Sequence, residues 1–293
     1  MIERYLLRYF LAVVDNGNFS RAAQQVNVAQ PTLSVGIAKL EKALGVPLFE
    51  RTNRRVHLTD AGAQLLAHAR RIEGEFNRAE REISGQRTQP VVRLGVLTTI
   101  SSRIITRAVR LSQTQNPEAR TEMLEGNERE LANFLSRGRI DAALTLVHRG
   151  GNRFFEEPLF EEGYAVAMSV NHPLANESII SAEALAKNVM IVRRHCEALS
   201  ETSRHFTERG VRPFFAFRST NDDRAMEMVS AGLGITITPQ SHAREGLVLR
   251  DLSGFELRRC IGLAYAPHTQ RAWGEHATII SALREIEPGT YNS

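Results

Sequence analysis

The chain is poor in cysteine: Cys196 and Cys260 are the only two in 293 residues. Two thiols cannot build a disulfide framework in a chain of this length, and they lack the paired spacing of a structural zinc site. Lysine is scarcer than arginine, with Lys39, Lys42 and Lys187 the only three, so almost all positive charge is guanidinium. Arginine suits bidentate contacts to phosphate and guanine, although such a skew also follows from genome base composition. The net charge of +4 adds little by itself. No uninterrupted apolar run approaches the length of a membrane span. The start, Met1-Ile2-Glu3-Arg4-Tyr5, lacks the features of a secretory signal, so a cytoplasmic protein is expected. Also missing are a G-x-S-x-G elbow, a P-loop, a G-x-G-x-x-G turn after a strand and an H-E-x-x-H pair. These absences argue against an enzyme, and no cofactor is expected.

What is present divides into three textures. In residues 1–58, Leu6, Leu7, Phe10, Val13 and Val14 recur at helical spacing. Asn16-Gly17-Asn18 breaks this helix, and Ser20 is read as the N-cap of a second. A third begins near Gln30, with Pro31 in its first turn, where the missing N–H is harmless, and stops at Leu44-Gly45. Two short extended runs around Thr52-Asn53-Arg54 then predict a β-hairpin wing. Two helices meeting at a sharp angle need a small residue at the approach, which Ala22 or Ala23 supplies. They also need polar groups at the exposed start of the second helix, which Gln30, Thr32 and Ser34 supply. The order helix-turn-helix, wing, long helix points to a DNA-binding head.

Residues 59–88 predict one long helix capped by Thr59 or Asp60 and running to about Gly85. Leu65, Ala69, Ile72, Phe76, Ala79 and Ile83 are spaced 4-3-4-3-4, a heptad seam that favours a partner helix and hence self-association through residues 65–83. Residues 89–293 alternate β-type and helical runs, with strands expected at 91–97, 140–147, 164–170, 189–192, 214–218, 235–238 and 260–265. That texture implies largely parallel sheets with helices on both faces. The fold class is therefore α/β multidomain, and some 200 residues of it fit two lobes, about 91–164 with 266–293, and about 165–265.

The run Phe10-Leu11-Ala12-Val13-Val14, Gly17-Asn18-Phe19-Ser20-Arg21-Ala22-Ala23, Ala29-Gln30-Pro31-Thr32-Leu33-Ser34 and Leu44-Gly45-Val46-Pro47-Leu48-Phe49-Glu50-Arg51 closely resembles the LysR family of bacterial transcriptional regulators. The resemblance continues in His172-Pro173-Leu174-Ala175 and Ala231-Gly232-Leu233-Gly234-Ile235. It implies a winged helix, a linker helix and an effector domain of two Rossmann-like lobes similar to periplasmic binding proteins. It also implies tetramers that bind promoter DNA, respond to a small-molecule effector and act on RNA polymerase. Carried over residue by residue, it places Gln30, Pro31 and Ser34 at the start of the recognition helix. Arg51 and Arg54 fall in the wing, where a cation can enter the minor groove, and Ser20 and Thr32 fall at phosphates. Val35-Gly36 departs from the more polar residues usual in the family.

For the effector, Thr98, Thr99 and Ser101 follow the first strand and open a helix, whose free N–H groups favour an anion. The same hydroxyls could simply cap that helix. Glu128, Thr145 and Thr220 are further pocket-edge candidates. His195-Cys196 sits where the peroxide-sensing branch of the family carries an oxidisable cysteine, and Arg193, Arg194 and His195 are expected to lower its pKa. The matching resolving cysteine is absent, with His205 standing nine residues on, and a merely buried or pocket-lining Cys196 stays open.

Overall fold

The computed structural model describes residues 2–51, 56–84, 91–136, 138–150, 154–265 and 277–286. Two compact units divide the chain, residues 1–88 with 133–139, and residues 89–132 with 140–293.

In the first unit α1 (Arg4–Asn16) buries Leu6, Leu7, Phe10 and Val13 and ends where Gly17, at φ +62°, turns its N–H back to the Val13 carbonyl. Only glycine adopts that left-handed conformation without a steric penalty. The next helix, α2 (Phe19–Gln25), is capped by Asn18, whose side chain accepts from the N–H groups of Ser20 and Arg21. This corrects the cap expected at Ser20, which lies too far into the helix. Asn18 has the extended backbone that aims a short carbonyl at free amides; Ser20 is already helical. Helix α3 (Gln30–Leu44) starts with Pro31 in its first turn and stops at Gly45, φ +73°. Ala22 and Ala23 are buried, 0% and 2% exposed, where the helices meet.

The wing is an antiparallel pair, β1 (Phe49–Arg51) and β2 (Val56–Leu58), with Phe49 opposite Leu58. Glu41 of α3 anchors it by accepting from the N–H groups of Leu48 and Phe49 at 2.8 and 3.3 Å. Helix α4 (Asp60–Ser84) is capped by Thr59, whose hydroxyl accepts from the Gly62 N–H at 3.0 Å. Leu66 and Ala69 of α4 join the core of the unit, and Leu65 packs against it. The first two seam positions are thus covered by the domain's own core, because α4 packs against α1. Ile72 and Phe76 remain 37% and 46% exposed. The side chains of Ala79 and Ile83 lie outside the described residues.

The second unit has two lobes sharing one sheet, in the order β4-β3-β5-β12-β6-β11-β7, with β10 also on β6. The first lobe contains β3 (Val91–Leu97), α5 (Ser102–Gln115), β4 (Arg120–Gly126), the start of α6 (Glu128–Ser136), whose residues from Asn133 on fall in the first unit, β5 (Ala142–Leu146) and α9 (Thr278–Arg284). The second contains β7 (Ile179–Ile180), β8 (Val189–Arg193), α7 (Leu199–Glu208), β9 (Phe214–Ser219), α8 (Asp222–Ser230), β10 (Thr236–Pro239) and β11 (Leu247–Leu252). Its parallel pair β8-β9 is tied to the rest by the Ile191–Ile235 backbone bond.

Joining them is β6 (Phe155–Ser169), a fifteen-residue strand that pairs first with β12 (Arg258–Tyr265) and then with β10 and β11. The β3-β4, β3-β5 and β8-β9 pairings are parallel, whereas every neighbour of β6 is antiparallel. A mixed sheet replaces the largely parallel one expected. β12, counted with the second lobe on sequence, pairs with β5 and with Phe155–Gly163. Both strands that cross between the lobes carry buried charge, and this decides how the site is built.

Candidate functional site

At the start of α3, Gln30, Pro31, Thr32 and Val35 are exposed, with Ser34 half-buried one turn on. Gln30 Nε2 donates to Ser34 Oγ at 2.9 Å, so the two polar groups are held together on one edge of the helix. Val35 is 69% exposed. Gly36 is buried, and a Cβ there would come within 2.6 Å of the Tyr9 ring. The unusual Val35-Gly36 pair is thus one outward-facing apolar side chain beside one packing position. Ser20 is exposed on α2. Arg51 ends β1 with its side chain outside the described residues, and Arg54 is outside them altogether.

In the second unit a cleft of about 640 Å³ opens beyond the carboxyl ends of β3 and β4, the general location for ligands in such sheets. It gathers Thr98, Ser101, His195 and Thr220 from among the expected effector residues. Thr98 presents a hydroxyl with no partner among the described residues. Ser101 is the N-cap of α5, accepting from the Arg103 N–H at 3.4 Å. Thr99, Glu128, Thr145 and Cys196 are not among the lining residues. Glu128 is exposed and ion-paired with Arg149 at 3.3 Å. Thr145 is buried within β5 opposite Gly262.

Thr99 faces the other way, into a buried ionic node. Arg259 Nη1 donates to the Thr99 carbonyl and hydroxyl at 3.1 and 3.3 Å and to Glu197 at 2.5 Å. Its Nε and Nη2 donate to Glu162 at 2.9 and 2.8 Å. Tyr164 closes the ring by donating to Glu197 at 2.6 Å. Burial opposes charge on Glu197, but Arg259 and the Tyr164 hydroxyl outweigh it and hold the carboxyl down at about 2. Glu162 and Arg259 come from the two crossing strands, Thr99 from the first lobe and Glu197 from the second. One guanidinium therefore fastens both lobes to their shared sheet.

Cys196, half-buried, lies immediately before Glu197, with Arg193 Nη1 3.5 Å from its Sγ. Burial pushes this thiol up, and Glu197 and Asp222 add to the effect against Arg193. The net lowering expected from the arginines does not result: Arg193 pulls the thiol down but burial outweighs it, and Arg194 and His195 are exposed.

Sequence reasoning missed much of the cleft lining, including Glu125, Glu130, Asp222, Asp223 and His242. Asp222 is paired with Arg193 through one carboxylate oxygen, while the other has no partner among the described residues. Asp223 accepts from Ser102 of α5 and from Arg244, tying the second lobe to the first across the cleft. His242 is 2% exposed with neither ring nitrogen partnered among the described residues. Burial and three nearby arginines hold it well below its usual pKa, hence neutral near pH 7. The "DD" at a helix start reads as ordinary capping charge, and the sequence contains nothing that marks His242.

A winged helix-turn-helix followed by a two-lobed sheet domain around a cleft defines a ligand-responsive DNA-binding protein. Residues 5–63 match the family model for the bacterial regulatory helix-turn-helix protein of the lysR family, and residues 85–274 match the LysR substrate binding domain. The chain belongs to the LysR family of DNA-binding transcriptional regulators. It is 32% identical over 272 residues, 89% of this chain and 88% of the relative, to the DNA-binding transcriptional dual regulator OxyR of Escherichia coli strain K12. It is 30% identical to the hydrogen peroxide-inducible genes activator of Pectobacterium carotovorum, covering 97% of this chain and 96% of that one. A full-length OxyR variant from Pseudomonas aeruginosa has a similar fold, with TM-score 0.74 and 23% identity over 98% of this chain and 96% of that one. So does full-length CbnR with its target DNA, with TM-score 0.58 and 21% identity over 97% and 99%. Members of this family bind promoter DNA and small-molecule effectors and form oligomers. Among the described residues no helix is long and apolar enough to cross a membrane.

Proposed function

We propose that this regulator responds to peroxide through Cys196, as the names of its curated relatives suggest. The observation that carries the reading is the seat of the thiol. It lies 3.5 Å from a buried guanidinium and one residue before Glu197, which belongs to the node joining both lobes. The thiolate would attack one peroxide oxygen, breaking the O–O bond to give a sulfenic acid on Cys196 and hydroxide, which takes up a proton to leave as water. An added oxygen beside Arg193 and Glu197 would disturb the contacts that fix the lobes, and a ligand or modification acts only by favouring one arrangement over another. With His205 in place of a resolving cysteine, the oxidised state is the sulfenic acid itself until an external thiol reduces it.

DNA reading is assigned to Gln30 and Ser34 at base edges, with Val35 against a thymine methyl. Pro31 packs at the helix start, Ser20 and Thr32 contact phosphates, and Arg51 and Arg54 act from the wing. Pairing through Ile72 and Phe76 of α4 gives the dimer, two dimers the tetramer, and RNA polymerase is the downstream partner.

The test is to treat purified protein with hydrogen peroxide, map Cys196 by mass spectrometry with a sulfenate trap, and follow promoter binding by gel shift beside Cys196→Ser. Expected are a modified Cys196 and altered binding, both lost in the variant. Because burial raises the thiol pKa, the thiolate fraction and the oxidation rate should climb with pH between 7 and 9 by up to about tenfold per unit. An unmodified Cys196 with unchanged DNA binding overturns the assignment. A second reading, that a small molecule acts in the cleft, is favoured by the unpartnered Asp222 and His242 atoms in its wall.

A further inference from the structure

Two helices begin at the cleft, α5 with Ser101 and Ser102 and α8 with Asn221 and Asp222. Helix N-termini usually recruit anions, so sequence alone points to a carboxylate or phosphate effector. The side chains reverse that expectation. Asp222 and Asp223 occupy the positive end of α8, and Asp223 also takes the hydroxyl of Ser102, in the first turn of α5. The places where an incoming anion would sit are already filled by the protein's own carboxylates.

Around the cleft stand four acids, Glu125, Glu130, Asp222 and Asp223, and no lysine or arginine among the lining residues. Arg193 and Arg244 lie behind this wall, paired with Asp222 and with Asp223. Those two pairs cancel and leave Glu125 and Glu130 without a paired cation among the described residues. Among the described residues Glu130 accepts only the Asn127 backbone N–H. An acid cluster alone would be an ordinary solvated surface. Here Asp222, 8% exposed, has a carboxylate oxygen without a partner, and His242, 2% exposed, has two such ring nitrogens, among the described residues. Such groups are costly to bury unless something hydrogen-bonds to them. Asp222 Oδ1 lacks a donor among the described residues, and a neutral imidazole offers one acceptor and one donor. Ile100, Ile105, Met123 and Leu124 supply an apolar wall.

We infer that the cleft binds a small amphipathic organic cation, its ammonium directed to the Glu125, Glu130 and Asp222 carboxylates and its apolar body against the Ile100–Met123 wall. This rests on the cleft being an effector site and is independent of whether Cys196 is oxidised. The discriminating set is phenethylamine, 3-phenylpropanoate and 2-phenylethanol, matched in their apolar part and differing in charge. Binding to the full chain would be measured by titration calorimetry at about 150 mM salt, where surface charge is already screened. The amine should bind at least about tenfold more tightly than the carboxylate, and Glu125→Gln with Glu130→Gln should weaken the amine at least about threefold while sparing the alcohol. Both changes keep size and hydrogen bonding at exposed positions, so the variant should fold, which circular dichroism checks. Carboxylate binding equal to or tighter than the amine, or an amine indifferent to the double substitution, overturns the cation class while leaving the cleft an effector site. If none of the three binds, the cleft reading falls together with it. Unaltered amine binding in Cys196→Ser is the expected sign that the cleft acts apart from the thiol, and its loss refutes that independence.

Discussion

Replacing Arg259 with methionine probes the node that holds the second unit together. The side chain is 3% exposed, and its partners Glu162 and Glu197 are 2% and 8% exposed, so little solvent screens these pairs. Removing one partner of a buried pair strands the other charge, at a cost of about 3–5 kcal/mol. Proton linkage gives a second figure. Glu197 is held at about 2 against a usual 4.5. A tenfold change in proton affinity is worth about 1.4 kcal/mol, so the ionised form contributes about 3 kcal/mol near neutral pH. The two figures agree. Glu162 keeps the N–H and hydroxyl of Ser241 at 2.7 and 3.0 Å, which limits its share of the loss. A domain stable by about 5–15 kcal/mol would be left marginal.

The direction with pH distinguishes this mechanism from lost packing. In the native protein the folded pKa of Glu197 lies below the unfolded value. Its stabilisation is therefore full above about 4.5 and is lost as pH falls towards 2. Without Arg259, only the Tyr164 hydroxyl and a backbone N–H still oppose burial, and the folded pKa should rise above the unfolded one. Stability from this residue is then greatest at low pH and is lost as pH rises through the new value. Urea unfolding followed by circular dichroism between pH 4 and 7 should show the variant gaining stability as pH falls, opposite to the parent. Glu197→Gln on the Arg259→Met background should remove that slope and restore part of the loss. A cost below about 1 kcal/mol with the parent's pH profile would refute the ionic account.

Three further outcomes follow from particular contacts. Gln30→Ala should lose about 1–3 kcal/mol of discrimination between operator and non-specific DNA in competition gel shifts, the worth of one bidentate base contact; unchanged specificity would move base reading elsewhere. Ile72→Glu with Phe76→Glu should shift the protein towards monomer in sedimentation velocity, since these side chains are 37% and 46% exposed on α4, Phe76 even with the Arg4 guanidinium over its ring; an intact dimer would remove α4 from the interface. Gly62→Ala should destabilise the DNA-binding unit by about 1–3 kcal/mol in thermal unfolding, because its Cβ would meet the Leu48 carbonyl at 2.2 Å; a neutral result would mean the start of α4 shifts freely.

Legibility in the sequence followed how local each determinant was. The helices α1 to α4 could be read because period, cap and glycine stop lie within a few residues of one another. Central strands such as β3 and β5 announced themselves as apolar runs. β4 did not, since Arg-Thr-Glu-Met-Leu-Glu on a sheet edge is mostly exposed, and the first half of β6 is masked by Glu156, Glu157, Glu161 and Glu162. The candidate site was legible in the same measure. Thr98, Ser101, His195 and Thr220 follow strands, so a topological rule could place them. Arg259 and Glu162, 97 positions apart, meet only because two strands cross between lobes, and no local pattern distinguishes them from surface charge.

The same non-locality bears on two chemical expectations, the thiolate and the anion site. A helix start implies an anion site only while no carboxylate of the protein occupies it, and flanking arginines imply a thiolate only where burial does not outweigh them. Asp222 and Asp223, a single dipeptide at the start of α8, bear on both. Burial outweighs the pull of Arg193 on Cys196 and Asp222 adds to the rise, while Asp223 takes the Ser102 hydroxyl that an effector carboxylate would use. Substituting Asp222 would therefore act on both sites together. With Arg193 released, Asp222→Asn should speed peroxide oxidation of Cys196 while weakening amine binding in the cleft. Separate effects, or none on the thiol, would mean that Arg193 does not govern the sulfur.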